Sequence, residues 1–198
     1  KANEARILHA ALDVFSERGF RGATLDYIAG KADMSKPNLL YYFKSKDEIH
    51  VVLLTELLDI WLAPLREING KGNPVEELGN YITRKLQSSR NFPRESKLFA
   101  NEILAGAPHI KTFLSGELKQ LVDEKSLILK SWMDRGLITP CDPRHILFSI
   151  WATTQHYADF SAQIESVLGL EEGDQSFFFE AEQVLRTLFL GRLLDSDT

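Results

Sequence analysis

Only a tight turn, Ala32-Asp33-Met34, joins two short stretches that each carry a helix-start signal. Thr24 precedes LDYIAGKA as a capping residue, and Ser35 precedes KPNLLYYF, with Pro37 in the first turn, where its missing N–H leaves nothing unsatisfied. Two helices joined by so short a turn must cross, and the turn needs a residue that accepts left-handed backbone. Asp33 is the candidate, because a short polar side chain tolerates that region better than most. Leu39, Leu40 and Phe43 of the second stretch are then expected to pack on Ile7, Phe15 and Ile28.

Helical spacing continues along the chain. Ile7, Leu8, Ala11, Leu12 and Phe15 share one face of a first helix, which Gly19 can stop. Ser45 and Glu48 stand at capping-box spacing and open a long helix through VVLLTELLDIWL, bent or ended by Pro64. NGKGNP (69–74) is a loop. Helices are expected over 75–89, from Pro93 to about Gly106, and from there to Arg135. Asp142-Pro143 opens another, containing LFSIWATTQHYADF, and Asp174 caps a last one. No stretch reads as a strand or hairpin, so the fold class is all-α with about nine helices.

The composition, 44% hydrophobic and 26% charged, supplies a core. No run of about 18 apolar residues is present, and KANEARILHAAL has no signal-peptide pattern. One cysteine, Cys141, excludes an internal disulfide and fits a reducing cytoplasm. Charge is uneven: residues 1–50 hold eight Lys/Arg and seven Asp/Glu, the remainder fifteen and twenty-one. A relatively basic first quarter on an acidic body suits a module that meets a polyanion.

The second of two crossing helices is the one that enters a DNA major groove, with its N-terminal residues against the base edges. Lys36, Pro37 and Asn38 hold those positions: Lys36 can donate to guanine or phosphate, and Asn38 can reach a base edge. Tyr41 and Tyr42 follow one turn on, where a phenol can donate to phosphate while its ring packs on protein. Lys46 opposes the dipole of the helix it opens, which a nearby phosphate would offset.

FxxxGFxxxTLxxIAxxADxSKxxLLYYFxSKxEI closely resembles the N-terminal domain of TetR-type transcriptional regulators, from about Ile7 to Ile49. The resemblance implies a helix-turn-helix DNA-binding domain over 1–48 and a helical ligand-binding and dimerisation domain over 49–198. It also implies a homodimer on a palindromic operator. Thr24, Lys36, Tyr41, Tyr42 and Lys46 match positions that hold phosphates or bases in the family. Asp33 stands where the family usually has glycine.

The second domain, through LAPL, EILAGAP, LKQLVDEKSLIL and WATTQHYADF, resembles a branch of that family that controls pyrimidine utilisation and responds to uracil and thymine. A pyrimidine needs flat apolar walls and a few amide-like partners. Trp151, Gln155 and Asp159 share a helix face with Phe148 and can offer a stacking wall, a donor and acceptors; Trp61 and Asn101 are candidates from other helices. Asn101 departs from the apolar residue expected in that branch. Cys141 and His145 lack a third ligand, so no metal and no cofactor is expected. No phosphate loop or nucleophile elbow points to an enzyme. The apolar last helix, with Phe177, Phe178, Phe179, Val184, Leu185, Leu188 and Phe189, is expected to pair with the 142–160 helix of a second copy. Two alternatives stay open: a regulator of the same type sensing another small aromatic or hydrophobic ligand, and a helical module that binds no DNA.

Overall fold

A computed structural model describes residues 2–171 and 173–194. Among them no strand occurs. The helices are α1 (Ala2–Gly22), α2 (Leu25–Lys31), α3 (Lys36–Tyr42), α4 (Lys46–Arg66), α5 (Pro74–Asn91) and α6 (Pro93–Leu104). A short α7 (Lys111–Phe113) runs through a π-helical turn, Leu114–Leu118, into α8 (Lys119–Asp134). Then come α9 (Pro143–Asp159), α10 (Ser161–Leu168) and α11 (Phe178–Leu194). Beyond the nine helices expected, α7 is set off from α8 by the π turn, and α10 follows α9 after a break at Phe160. No helix of the described residues is long and apolar enough to cross a membrane.

The helix starts follow the sequence signals. Thr24 Oγ1 accepts from the Tyr27 amide, Ser35 from Asn38, Ser45 from Glu48, and Asp142 from Arg144. The Glu48 carboxylate reaches back to the Lys44 amide at 2.6 Å, one residue earlier than a strict capping box. Pro64 lies inside α4, which continues to Arg66. Gly19 (φ 67°, ψ 172°) interrupts the helical path of α1 with a backbone that other residues rarely adopt.

By packing, the chain falls into two units: residues 1–60 with 94–114, and residues 61–93 with 115–198. This grouping differs from the expected 1–48 and 49–198 because α4 is one helix through the boundary and α6 packs with the first unit. Ile7, Phe15, Ile28, Leu39, Ile49 and Leu54 form the fully buried centre of the first unit. Leu40, expected in that core, is instead 39% exposed, since α3 is only seven residues long and turns one narrow face inward. In the second unit α5 packs on α9 and α11, and α8 on α9, around Ile82, Leu129, Trp132, Leu147 and Ile150. Lys125, buried there, donates to the Arg66 and Ile68 carbonyls at 2.9 and 3.3 Å and so caps the end of α4.

Asp33 takes the left-handed backbone, φ 51°, that the turn requires. Its carboxylate lies 3.8 Å from the Arg6 guanidinium, but in full solvent exposure, where such a pair contributes little. Asp33→Gly is therefore expected to raise the unfolding free energy by about 0.5–1 kcal/mol, and Asp33→Val to lower it by about 1–2 kcal/mol. Urea denaturation of the two variants beside the parent checks both signs.

Candidate DNA interface and effector site

The α2–α3 pair leaves one face open to solvent. Lys36, Pro37 and Asn38 are exposed at the start of α3, and Thr24 is exposed at the start of α2. Tyr41 is 83% exposed, its ring edge-on to Tyr42 at 5.1 Å. Its hydroxyl is thus free to reach a phosphate while the ring stays against Tyr42. Lys36 Nζ pairs with Asp26 at 2.8 Å, an exposed contact that a phosphate or base can displace at small cost.

Tyr42 and Lys46, also expected at the DNA, are only partly exposed and are tied to α1 and the residue after it. Tyr42 is half-buried and its hydroxyl accepts from Asn3 Nδ2 at 2.8 Å, tying α3 to α1. Lys46 Nζ donates to the Phe20 and Ala23 carbonyls at 2.7 and 2.9 Å and stands over the Phe20 ring. These carbonyls cluster around the end of α1, where a cation is favoured.

In the second unit, Trp61 is buried, and Trp151, Gln155 and Asp159 line one face of α9 in partly buried positions. Trp151, Trp61 and Asp159 meet two residues of α5 outside the expected set, Tyr81 and Lys85, four apart in YITRKL. Trp151 Nε1 donates to the Tyr81 hydroxyl at 2.6 Å. Lys85, only 4% exposed, holds its ammonium 4.5 Å from the centre of the Trp61 ring. Burial lowers its pKa to about 8, against the pull of the Asp159 charge. Burial likewise raises the Tyr81 phenol. The i, i+4 spacing of Tyr81 and Lys85 was the available signal, but lysine on an amphipathic helix reads as surface.

Asn101 lies elsewhere. It is exposed on α6 and belongs to the first unit, where it lines a cavity of about 540 Å³ with Phe15, Phe20, His50, Glu102 and His109. Sequence reasoning missed those two histidines and the glutamate, which are the group of three metal-type ligands found among the described residues. Burial lowers the His50 pKa. Burial also pushes Glu102 up, but bonds from the His109 side chain and backbone and from His50 outweigh it and hold the carboxyl below its ordinary value.

Residues 7–51 match the family described as bacterial regulatory proteins, tetR family, and residues 54–195 match the one described as YcdC-like protein, C-terminal region. The chain belongs to the tetR family and is a ligand-responsive, DNA-binding transcriptional regulator. It is 47% identical to the HTH-type transcriptional regulator RutR of Escherichia coli K12 over 191 residues, 96% of this chain and 90% of that protein. Two solved structures share the fold. The ketosteroid transcriptional regulator KstR2 of Mycobacterium tuberculosis matches with TM-score 0.79 at 22% identity, over 98% of this chain and 95% of that one. A TetR-like regulator from Rhodococcus sp. RHA1 matches with TM-score 0.70 at 23% identity, over 95% and 93%.

Two variants probe these surfaces. Lys36→Ala is expected to weaken operator binding by about 1–3 kcal/mol without changing the thermal midpoint, as titration on labelled duplex would show. Lys85 carries a folded-state pKa below its unfolded one, so its neutral form is the better folded one. The stability of the parent relative to Lys85→Met should be lowest below pH 8, rise as pH passes about 8, and level off above about 10.5. The rise is on the order of 3 kcal/mol, read from urea midpoints at pH 7 and pH 10.

Proposed function

We propose that the protein acts as a homodimeric repressor in the cytoplasm, releasing or gripping a palindromic operator in response to uracil, thymine or a closely similar pyrimidine. The observation that carries the effector reading is the second unit's cluster: the buried Lys85 ammonium over the Trp61 ring, with Trp151 bonded to Tyr81 one turn earlier on the same helix as Lys85. A pyrimidine dione offers flat faces, two carbonyl acceptors and ring N–H donors. The indoles supply stacking surfaces, Lys85 donates to a carbonyl, Gln155 donates and accepts, and Asp159 accepts from a ring N–H. A cation held in an apolar surrounding gains most from a polar ligand, because its alternative partners are few. The likeness to RutR supports the same effector class. No enzymatic role is needed for this arrangement.

Dimerisation is supported by apolar surface on the last three helices. Phe148 and Phe160 of the α9 region, Val167 of α10, and Phe179, Val184 and Leu188 of α11 are each 46–77% exposed. A symmetric partner covering them would leave a four-helix contact and bring two α3 helices to one operator, whose half-sites lie about 34–36 Å apart. The coupling between sites then rests on the effector's unequal affinity for the two spacings of the reading heads.

Calorimetric titration with uracil and with thymine tests the effector assignment. Saturable heat is expected, together with an operator affinity changed about 5–150-fold by saturating ligand, in either direction. Trp151→Ala should abolish the heat while leaving DNA binding in place. The absence of both heat and thermal shift at about 1 mM ligand would overturn the pyrimidine assignment in favour of another aromatic or hydrophobic effector.

A further inference from the structure

Three side chains of the first unit, unused by either the DNA face or the proposed effector site, converge on one point. Glu102 lies in the last turn of α6. The chain then reverses through Gly106 (φ 92°) and Ala107 (φ 57°), and the Ala107 amide donates to the Glu102 carbonyl at 2.8 Å. The reversal lays His109 on Glu102: its backbone N–H donates to Oε1 at 2.7 Å, and its Nδ1 lies 2.9 Å from Oε2. His50, in the second turn of α4, places Nε2 3.2 Å from the same Oε2. One nitrogen or oxygen from each residue lies within 4.8 Å of the other two.

Two imidazoles and a carboxylate are the donor set of a first-row divalent ion. Around a tetrahedral centre with bonds of about 2.0–2.2 Å, ligand atoms stand about 3.3–3.6 Å apart. The two short edges need to open by a few tenths of an ångström, and the third, no longer than 4.8 Å, to close. The His50 and His109 nitrogens that face Glu102 both point at one carboxylate oxygen, Oε2, so that an ion placed there meets all three residues. His50 is 2% exposed, and its Nδ1, on the far side of the ring, has no hydrogen-bond partner.

The surroundings suit a metal as well. Phe15 and Phe20 pack on the His50 ring at 4.8 Å, and Phe20 on His109 at 4.7 Å, which fixes both ring planes. His109 Nε2 lies 3.3 Å from Asp47 Oδ1, so a ring ligating through Nδ1 keeps its other N–H on a carboxylate, the usual support of a metal-bound histidine. The adjoining cavity leaves room for a water as fourth ligand.

We propose that His50, Glu102 and His109 bind one divalent transition-metal ion of the zinc class, pinning the second turn of α4 to the end of α6. The site shares no ligand with the proposed effector site and stands or falls separately from it.

The test uses the full chain, stripped with EDTA and titrated with Zn²⁺ against a chromophoric chelator, and separately with Co²⁺ followed by visible absorption. One zinc per chain and the intense d–d band of low-coordinate cobalt are expected. His50→Phe and His109→Phe keep a ring in place; each should weaken zinc at least about tenfold and abolish the cobalt band, as should Glu102→Gln. Asp47→Asn should weaken zinc by about tenfold while retaining the band. Circular dichroism verifies that each variant is folded, and His109, at the rim of the cluster, provides the variant least exposed to a folding defect. Failure of the parent to take zinc from the chelator would overturn the proposal, as would undiminished zinc affinity in a folded His109→Phe chain.

Discussion

Arg6 donates to two successive carbonyls of the α2–α3 turn, Ala32 at 2.6 Å and Asp33 at 3.1 Å. Between those two carbonyls the backbone passes through positive φ at Asp33. α3 is too short to hold itself in place: an isolated helix of seven residues does not persist in water. Its direction is therefore set by this turn, by Leu39 and Phe43 in the core, and by the Tyr42 hydroxyl on Asn3. The exposed face of Lys36, Asn38 and Tyr41 inherits its orientation from those anchors.

The second unit places its polar groups differently. Lys125 and Lys85 are both buried, yet their roles diverge. Lys125 reaches two backbone carbonyls at a helix end, a common way to satisfy an interior ammonium. Lys85 instead faces an indole ring, with the charge of Asp159 acting on it from α9. A buried cation with an aromatic neighbour is an expensive arrangement for stability alone, and such groups concentrate where ligands bind.

Much of the helical plan was legible in the sequence, because it rests on local chemistry. Thr24, Ser35, Ser45 and Asp142 cap the helices they precede, and Asp33 takes the backbone its side chain permits. What was not legible depends on residues far apart in the chain. His50 and Glu102 stand 52 positions apart, and no periodicity links them. Lys85 looks like helix surface until α4 and α9 enclose it. The chemistry of an amide places Asn101 beside Trp151 in a pyrimidine pocket, whereas packing assigns the two residues to different units. Leu40 reads as core because apolar residues usually are, although a helix of two turns has room for only one buried stripe.

The anchoring of Lys46 bears on how salt acts on operator binding. A lysine that neutralises phosphate releases condensed counterions, and each such release adds to the steepness with which affinity falls as salt rises. Lys46 already spends its ammonium on the Phe20 and Ala23 carbonyls, so it displaces no counterion unless those bonds break. Of the three lysines between residues 35 and 49, Lys36 and Lys44 are the exposed ones. Operator affinity should thus respond to ionic strength less steeply than the basic residues of this segment would imply, with more of the grip supplied by groups that carry no charge.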